Sequence, residues 1–215
     1  SISALMVNFE KAYDNRMQKD FFRRDAKSAA IDLIGKIIVR KLPGGEFLAA
    51  RLVETEAYLP ENDPASHSHP GLTQRNRPMF EPGGIIYVYK IYGIHHCCNI
   101  VTGGHDRGSA VLIRAAEPIA GMGKMTEFRD VNDKEKLCKG PGNFAKAMNF
   151  TLNDNFTPVN SKELFIFEDE GSVKNEIMAS RRIGIKKASN LELRFFLRGS
   201  KYVSANKNGT IFQKN

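Results

Sequence analysis

Apolar and polar positions fall into short blocks whose period changes along the chain. After Asp25, a good N-cap residue, Ala26, Ala29, Ala30, Leu33 and Ile34 recur at helical spacing, and Gly35 offers a stop. This predicts a helix over Ala26–Ile34. The apolar run inside Lys36–Lys41 predicts a strand, and the turn Pro43-Gly44-Gly45 should fold it back on a second strand, Leu48–Tyr58. Residues 60–83 are broken by Pro60, Pro64, Pro70, Pro78 and Pro82, which predicts a long loop of the kind that usually carries function. Ile85–Tyr92 and Ile94–Val101 flank Gly93 and predict a β-hairpin over about residues 85–101. Ser109–Ala115 reads as another strand, and 118–150 as mostly helical around Gly140-Pro141-Gly142. Residues 151–215 alternate short strands with loops, Leu191–Leu197 being the clearest, and residues 1–19 read as an irregular arm. Strands and helices come in blocks, so the expected class is α+β. One domain over 20–215 should hold a curved, mainly antiparallel sheet, flanking helices and the protruding hairpin.

Composition narrows the setting. The chain has 215 residues, enough for one well-buried core. With 41% hydrophobic and 26% charged residues it has the make-up of a globular protein rather than a disordered one. Three cysteines, two of them adjacent (Cys97 and Cys98), cannot build a disulfide framework. No apolar run is long enough to span a bilayer, and the first residues lack the basic flank and apolar stretch of a secretory leader. The expectation is a cytoplasmic protein, or a nuclear one in a eukaryotic cell, that makes no membrane contact. The net charge is +8, and it is uneven: residues 171–215 hold ten Lys and Arg against two acids, whereas 51–130 is close to neutral. A basic end of this kind is either a solvated face or a surface that displaces counterions from nucleic acid.

Several residues invite chemistry. On a strand ending in Glu54-Thr55-Glu56-Ala57-Tyr58, period 2 puts Glu54, Glu56 and Tyr58 on one face. The plain reading is a solvated acidic edge. The chemical one is a carboxylate of raised basicity serving as general base. Tyr87 and Tyr89 share one face of the hairpin, Tyr87 suiting a core. Tyr92 precedes the turn glycine, where a ring has little to pack on, and so reads as a wedge or stacking residue; Tyr58 and Tyr89 could hold a flat ring between them. His67, His69, His95, His96, Cys97 and Cys98 lack the spacing of a metal motif, and adjacent strand residues face opposite ways, so no metal site is expected. Arg75 and Arg77 lie in the Pro-rich loop and either contact phosphates or tie the loop down. Arg114 ends an apolar strand and needs a carboxylate or anion partner.

Taken in order, Arg51-Leu-Val-Glu-Thr-Glu-Ala-Tyr58, Arg75-Asn-Arg-Pro-Met-Phe80, Tyr87-Val-Tyr-Lys-Ile-Tyr-Gly93, Asn99, Leu112-Ile-Arg-Ala-Ala-Glu-Pro118, Gly140-Pro141, Arg182-Ile-Gly184 and Leu197-Arg-Gly-Ser200 resemble the alkyladenine (3-methyladenine) DNA glycosylases of the mammalian alkyladenine type, which also occur in bacteria. The resemblance runs from about Phe21 to Ser204. It implies a monofunctional base-excision enzyme, monomeric and without a cofactor. Such an enzyme flips alkylated or deaminated purines out of duplex DNA and hydrolyses the N-glycosidic bond to leave an abasic site. The lesions implied are 3-methyladenine and, more broadly, 7-methylguanine, hypoxanthine and ethenoadenine. By the same resemblance Glu56 is the general base, and Arg114 and the backbone carbonyl of Ile183 help it hold water. Tyr58 and His67 lie on opposite faces of the flipped base, Tyr89 borders the pocket, Asn99 discriminates against the guanine amino group, and Tyr92 is the wedge. No lysine matches a Schiff-base position.

The sequence departs from the mammalian pattern at Ile94-His95, where those members carry Met and Tyr, and at Asn143, where they carry a phosphate-touching Lys. Backbone contacts are expected from Arg75, Arg77, Arg181, Arg182, Lys186 and Lys187. Two other readings stay open at this level. One is a non-catalytic basic protein that reads damaged bases in nucleic acid. The other is a metal-dependent nuclease using His67, His69 and Glu54.

Overall fold

The computed structural model describes residues 8–170, 176–205 and 207–213. Among the described residues three short helices come first: α1 (Phe9–Asp14), α2 (Lys19–Phe22) and α3 (Ala26–Leu33). The Asp25 carboxylate caps α3 by accepting from the Ser28 N–H at 2.8 Å. Strands β1 (Ile37–Lys41), β2 (Phe47–Tyr58), β3 (Ile86–Ile91), β4 (His95–Thr102) and β5 (Ser109–Ala120) follow. Then come α4 (Met122–Arg129), α5 (Lys134–Leu137) and α6 (Pro141–Ala147), and strands β6 (Leu164–Phe167), β7 (Ile177–Ser180), β8 (Arg194–Leu197) and β9 (Thr210–Ile211). The nine strands form one antiparallel sheet in the order β3-β4-β5-β2-β8-β7-β9, with β1 and β6 branching from β2, and it does not close into a barrel. The α+β class and the antiparallel sheet expected from the sequence are therefore present.

The branch explains why β2 is so long. Its first half pairs with β1 (Ile37 opposite Arg51) and its second half with β8 (Glu56 opposite Arg194), while β5 runs along its other edge. A register shift between Leu52 and Glu54 marks a bulge. Before it, Leu48, Ala50 and Leu52 face the helix-covered core; after it, Ala57 does. Thr55 joins Ala57 on that face, its hydroxyl donating to the Ala30 carbonyl of α3 at 2.9 Å. A bulge swaps which parity of residues faces the core. Here it lets the strand serve the core with even positions first and odd positions later. That frees Glu54, Glu56 and Tyr58 for the opposite face.

Three expectations change. The segment read as an irregular arm contains α1, whose Phe9 and Tyr13 rings pack edge-on against Phe165 at 5.5 Å each. The i, i+4 aromatic pair with Ala12 between supplies an apolar stripe too short to stand out in the sequence. The strand from Ser109 runs on to Ala120, so the helical block starts at Met122 and not at 118. Pro118 is tolerated because β4 pairs with β5 only as far as Leu112, and a proline on an edge has no ladder N–H to lose. Leu191–Leu197 narrows to Arg194–Leu197.

Candidate active site

The face opposite the helices carries a row of side chains set by register alone. Glu56 lies beside Leu112, Leu112 beside Asn99, and Asn99 beside Tyr87, crossing β2, β5, β4 and β3. On β8, Arg194 continues the row on the other side of Glu56. One step along, Tyr89 opposes Cys97. Apart from Arg194, these residues, with Tyr58, His67, Arg114 and Ile183, line a cavity of about 330 Å³. That is at the small end of the size range for clefts that take an organic ligand.

Glu56 is fully buried at its floor. Its Oε2 accepts the Ile183 N–H at 2.7 Å, and its Oε1 accepts the Tyr58 hydroxyl at 3.1 Å and Arg114 Nη1 at 3.4 Å. Burial raises its pKa above the ordinary carboxylate value, against the opposing pull of Arg114, the Ile183 amide and Tyr58; the charge of Glu54 pushes the same way as burial. The resemblance assigns the Ile183 carbonyl to holding a water; the Ile183 group that touches Glu56 itself is the amide. Burial also raises the Tyr58 phenol, so Tyr58 stays a donor.

His67 and the hairpin tyrosines form the aromatic wall. The His67 ring lies 4.1 Å from that of Tyr89, and its Nδ1 is 3.1 Å from the Tyr87 hydroxyl. Burial, with Arg75 nearby, lowers the His67 pKa to about 4, so the ring is neutral at ordinary pH. Asn99 is buried and donates from Nδ2 to the Tyr87 carbonyl at 3.2 Å. Tyr92 stands at the hairpin tip, 90% exposed, beside the exposed Ile94. The tip closes with the Ile94 N–H on the Ile91 carbonyl, and Tyr92 and Gly93 both have positive φ (51° and 69°). The Ile91–His95 pairing leaves a three-residue loop, and the two positive-φ residues at the centre of its Ile91–Ile94 turn give a backbone twist that suits the strands. A tyrosine there costs about 1 kcal/mol of backbone strain, and none of the described residues covers its ring.

Of the six residues expected on a DNA backbone, Arg75, Arg77, Arg181, Lys186 and Lys187 are exposed. Arg75 also donates to the Lys90 carbonyl at 2.8 Å, and Arg77 lies over Phe156. Arg182 is a correction. Its side chain has no exposure, and it makes a bidentate pair with Asp63, both contacts at 2.7 Å. It also donates to the Ala57 carbonyl at 3.1 Å and lies 4.8 Å over the Tyr58 ring. A guanidinium spent on a buried carboxylate has no fork left for phosphate. Asn143 turns its amide to the Lys139 carbonyl at 2.8 Å.

Asp63, Arg194 and Ser204 were not singled out in the sequence. Asp63 sits in the Pro-rich loop among other polar residues, and Ser204 follows the last clear strand. Arg194 falls inside the predicted strand Leu191–Leu197 with nothing in the sequence to name its partner, yet it is 1% exposed. Among the described residues no cluster of three or more His, Cys, Asp or Glu side chains is placed to hold a metal ion, and Glu54 of the nuclease reading is enclosed by arginines.

The chain matches the model of the methylpurine-DNA glycosylase family over residues 20–201. A protein of Methanoculleus marisnigri assigned as a 3-methyladenine DNA glycosylase is 42% identical over 187 residues, which is 86% of this chain and 96% of that one. A Chlorobium phaeovibrioides protein of the same assignment is 41% identical over 88% of this chain and 96% of its own. One from Natranaerobius thermophilus is 39% identical over 89% and 100%. With a match of this extent, the chain belongs to the methylpurine-DNA glycosylase family.

Proposed function

We propose that this DNA glycosylase excises alkylated purines from duplex DNA, with 3-methyladenine its principal substrate and Glu56 its general base. The observation that carries the reading is a buried carboxylate, held at a raised pKa, at the floor of an aromatic cavity whose rim bears an exposed tyrosine. The target base leaves the stack and enters between Tyr58 and His67, with Tyr89 at its edge and Tyr92 wedged into the duplex in its place. Electron-poor alkylated rings gain most from stacking on these faces.

A carboxylate has about four lone-pair directions, and the Ile183 amide, Tyr58 and Arg114 take three of them on Glu56. The remaining one accepts the proton of a water whose oxygen attacks C1′, while the carbonyl of Ile183 helps to hold that water. The C1′–N bond breaks, its electron pair leaves with the purine, and the anionic carboxylate stabilises the oxocarbenium character between. A purine already cationic from N-alkylation departs neutral and needs no proton from the protein. His67 is held neutral by burial, so it is a poor acid for hypoxanthine or ethenoadenine. The expected order is therefore 3-methyladenine and 7-methylguanine ahead of the neutral lesions, with Asn99 rejecting the amino group of unmodified guanine.

Base release from methylated duplex DNA, followed by scoring alkali-labile abasic sites, tests this. Glu56→Gln should lose at least about 100-fold in single-turnover rate, the scale of general acid-base catalysis, while keeping lesion binding. Full activity in that variant would remove Glu56 from the mechanism. Lesion binding by the wild type with no base released from any substrate would favour a non-catalytic reader.

A further inference from the structure

Beside Glu56 lies a second carboxylate that the mechanism above does not use. Glu54 has no solvent exposure and takes four donors. Arg114 Nε reaches its Oε1 at 2.9 Å, and Arg194 Nη2 and the Ser204 N–H reach its Oε2 at 3.0 and 3.1 Å. The Ser204 hydroxyl donates to Oε1 as well. Arg194 is itself held, donating from Nη1 to the Ser180 hydroxyl at 2.9 Å. Two carboxylates and two guanidiniums thus form one buried group drawn from β2, β5 and β8 and from the segment after β8.

The division of Arg114 between the two carboxylates is the telling feature. Its Nε is committed to Glu54 at 2.9 Å, and its Nη1 meets Glu56 at 3.4 Å. A guanidinium is a rigid planar fork, so anchoring Nε fixes where Nη1 points. Without Glu54, that fork would close on Glu56 bidentately, the strongest arrangement for the pair. A general base so paired would be a weaker one. We propose that Glu54 is a positioning residue for excision: it holds Arg114 at the edge of Glu56 so that the base is oriented but not neutralised. Ser204 and Arg194 act through Glu54 by supplying the donors that let a second anion sit there. The inference rests on Glu56 being the general base.

A merely structural network would cost stability when broken and leave the catalytic pH profile where it was. The acid limb of the single-turnover rate reports protonation of Glu56. The groups facing Glu56 are Tyr58 and Glu54 from its own strand, Arg114 from β5, Arg194 from β8, Cys97 from β4 and the Ile183 amide from the facing loop. Of these, Glu54 is the one that raises the Glu56 pKa by its charge.

The test compares the full-length wild type with Glu54→Gln, Glu54→Asp and Glu56→Gln, each measured for 3-methyladenine release across pH, lesion-duplex affinity and unfolding midpoint. Glu54→Gln keeps the shape and removes the charge. Its plateau rate should fall about 100-fold, the scale of a misplaced catalytic group, with affinity retained and the acid limb moved to lower pH. Glu54→Asp keeps the charge but draws the carboxylate back by one methylene, so the rate should fall with a smaller shift of the limb. If Glu54→Gln fails to fold, the aspartate variant decides. Wild-type rate and limb in whichever Glu54 variants fold overturn the proposal, whatever happens to their midpoints. If Glu56→Gln is inactive while the Glu54 variants match wild type, only this inference falls. If Glu56→Gln is active, the general-base reading falls and this inference with it.

Discussion

His67 shows how much of the site's behaviour resides in one side chain. An ordinary histidine titrates near 6.5, and burial holds this one at about 4. Between those values the unfolded chain binds a proton that the folded chain does not. The stability due to neutral His67 is therefore complete above about pH 6.5 and lost as the pH falls toward 4. Glu56, with its raised pKa, has a dependence of opposite sign, so the quantity to measure is the difference between proteins. Urea unfolding of wild type and His67→Asn should differ by a constant amount above pH 7. The wild type should then lose roughly 1–2 kcal/mol relative to the variant by pH 5. A difference that is the same at both pH values would mean that His67 is not held neutral. Glu56, Tyr58 and Tyr89 stand out as candidates in the sequence because each sits in a compact run, whereas the pocket roles of His67 and Asn99 rest on the resemblance. What they touch was not. The Tyr58 hydroxyl on Glu56 is a neighbour two positions along one strand, whereas Ser204 reaches Glu54 across 150 residues.

At the scale of elements, the cavity is held by a strand with a bulge and by two loops tied together. Strict alternation along β2 places Glu54, Glu56 and Tyr58 together but would leave Leu52 facing them as well. The bulge that separates Leu52 from Glu54 has no local sequence sign, because it answers to the change of partner from β1 to β8. The loops are joined by Asp63 and Arg182, a fully buried pair that spans 119 residues. Asp63 also accepts the Leu59 and Ala65 amides, and Arg182 precedes the residue whose N–H meets Glu56. Losing one partner of a buried pair leaves a bare charge, a cost of about 3–5 kcal/mol. Arg182→Gln should lose about that much in chemical denaturation, and so should Asp63→Asn. The double variant should be less damaged than their sum, since it leaves no lone charge. Base release by either single variant should fall with it, because Arg182→Gln removes the guanidinium over the Tyr58 ring and Asp63→Asn leaves that guanidinium unanchored. If Arg182→Gln kept full stability and lost only DNA affinity, the phosphate role expected from the sequence would be restored.

Over the whole molecule, the charge that looked like one basic surface divides into internal and external parts. Of the ten cations in residues 171–215, Arg182 and Arg194 neutralise the buried acids Asp63 and Glu54, and Arg198 pairs with Glu176. Composition cannot make this distinction, because a buried ion pair and a surface cation look alike until the fold brings distant acids to meet them. Arg181, Lys186 and Lys187 are exposed, and none of them forms an ion pair with another described residue. They flank Ile183, Gly184 and Ile185, which line the cavity. On the proposed function, phosphates held there would lie beside the duplex segment that yields its base, while lesion choice would rest on the nearly uncharged wall of Tyr58, His67 and Asn99. Each phosphate contact contributes about 0.9 to the slope of log affinity against log salt. Changing Arg181, Lys186 and Lys187 together to Gln should therefore flatten that slope by up to about 3. The ratio of lesion to undamaged affinity should stay unchanged. Fluorescence anisotropy with matched lesion and undamaged duplexes over a salt series measures both quantities. An unaltered slope would make these three side chains an ordinary solvated surface, and a collapsed ratio would place them in lesion recognition itself.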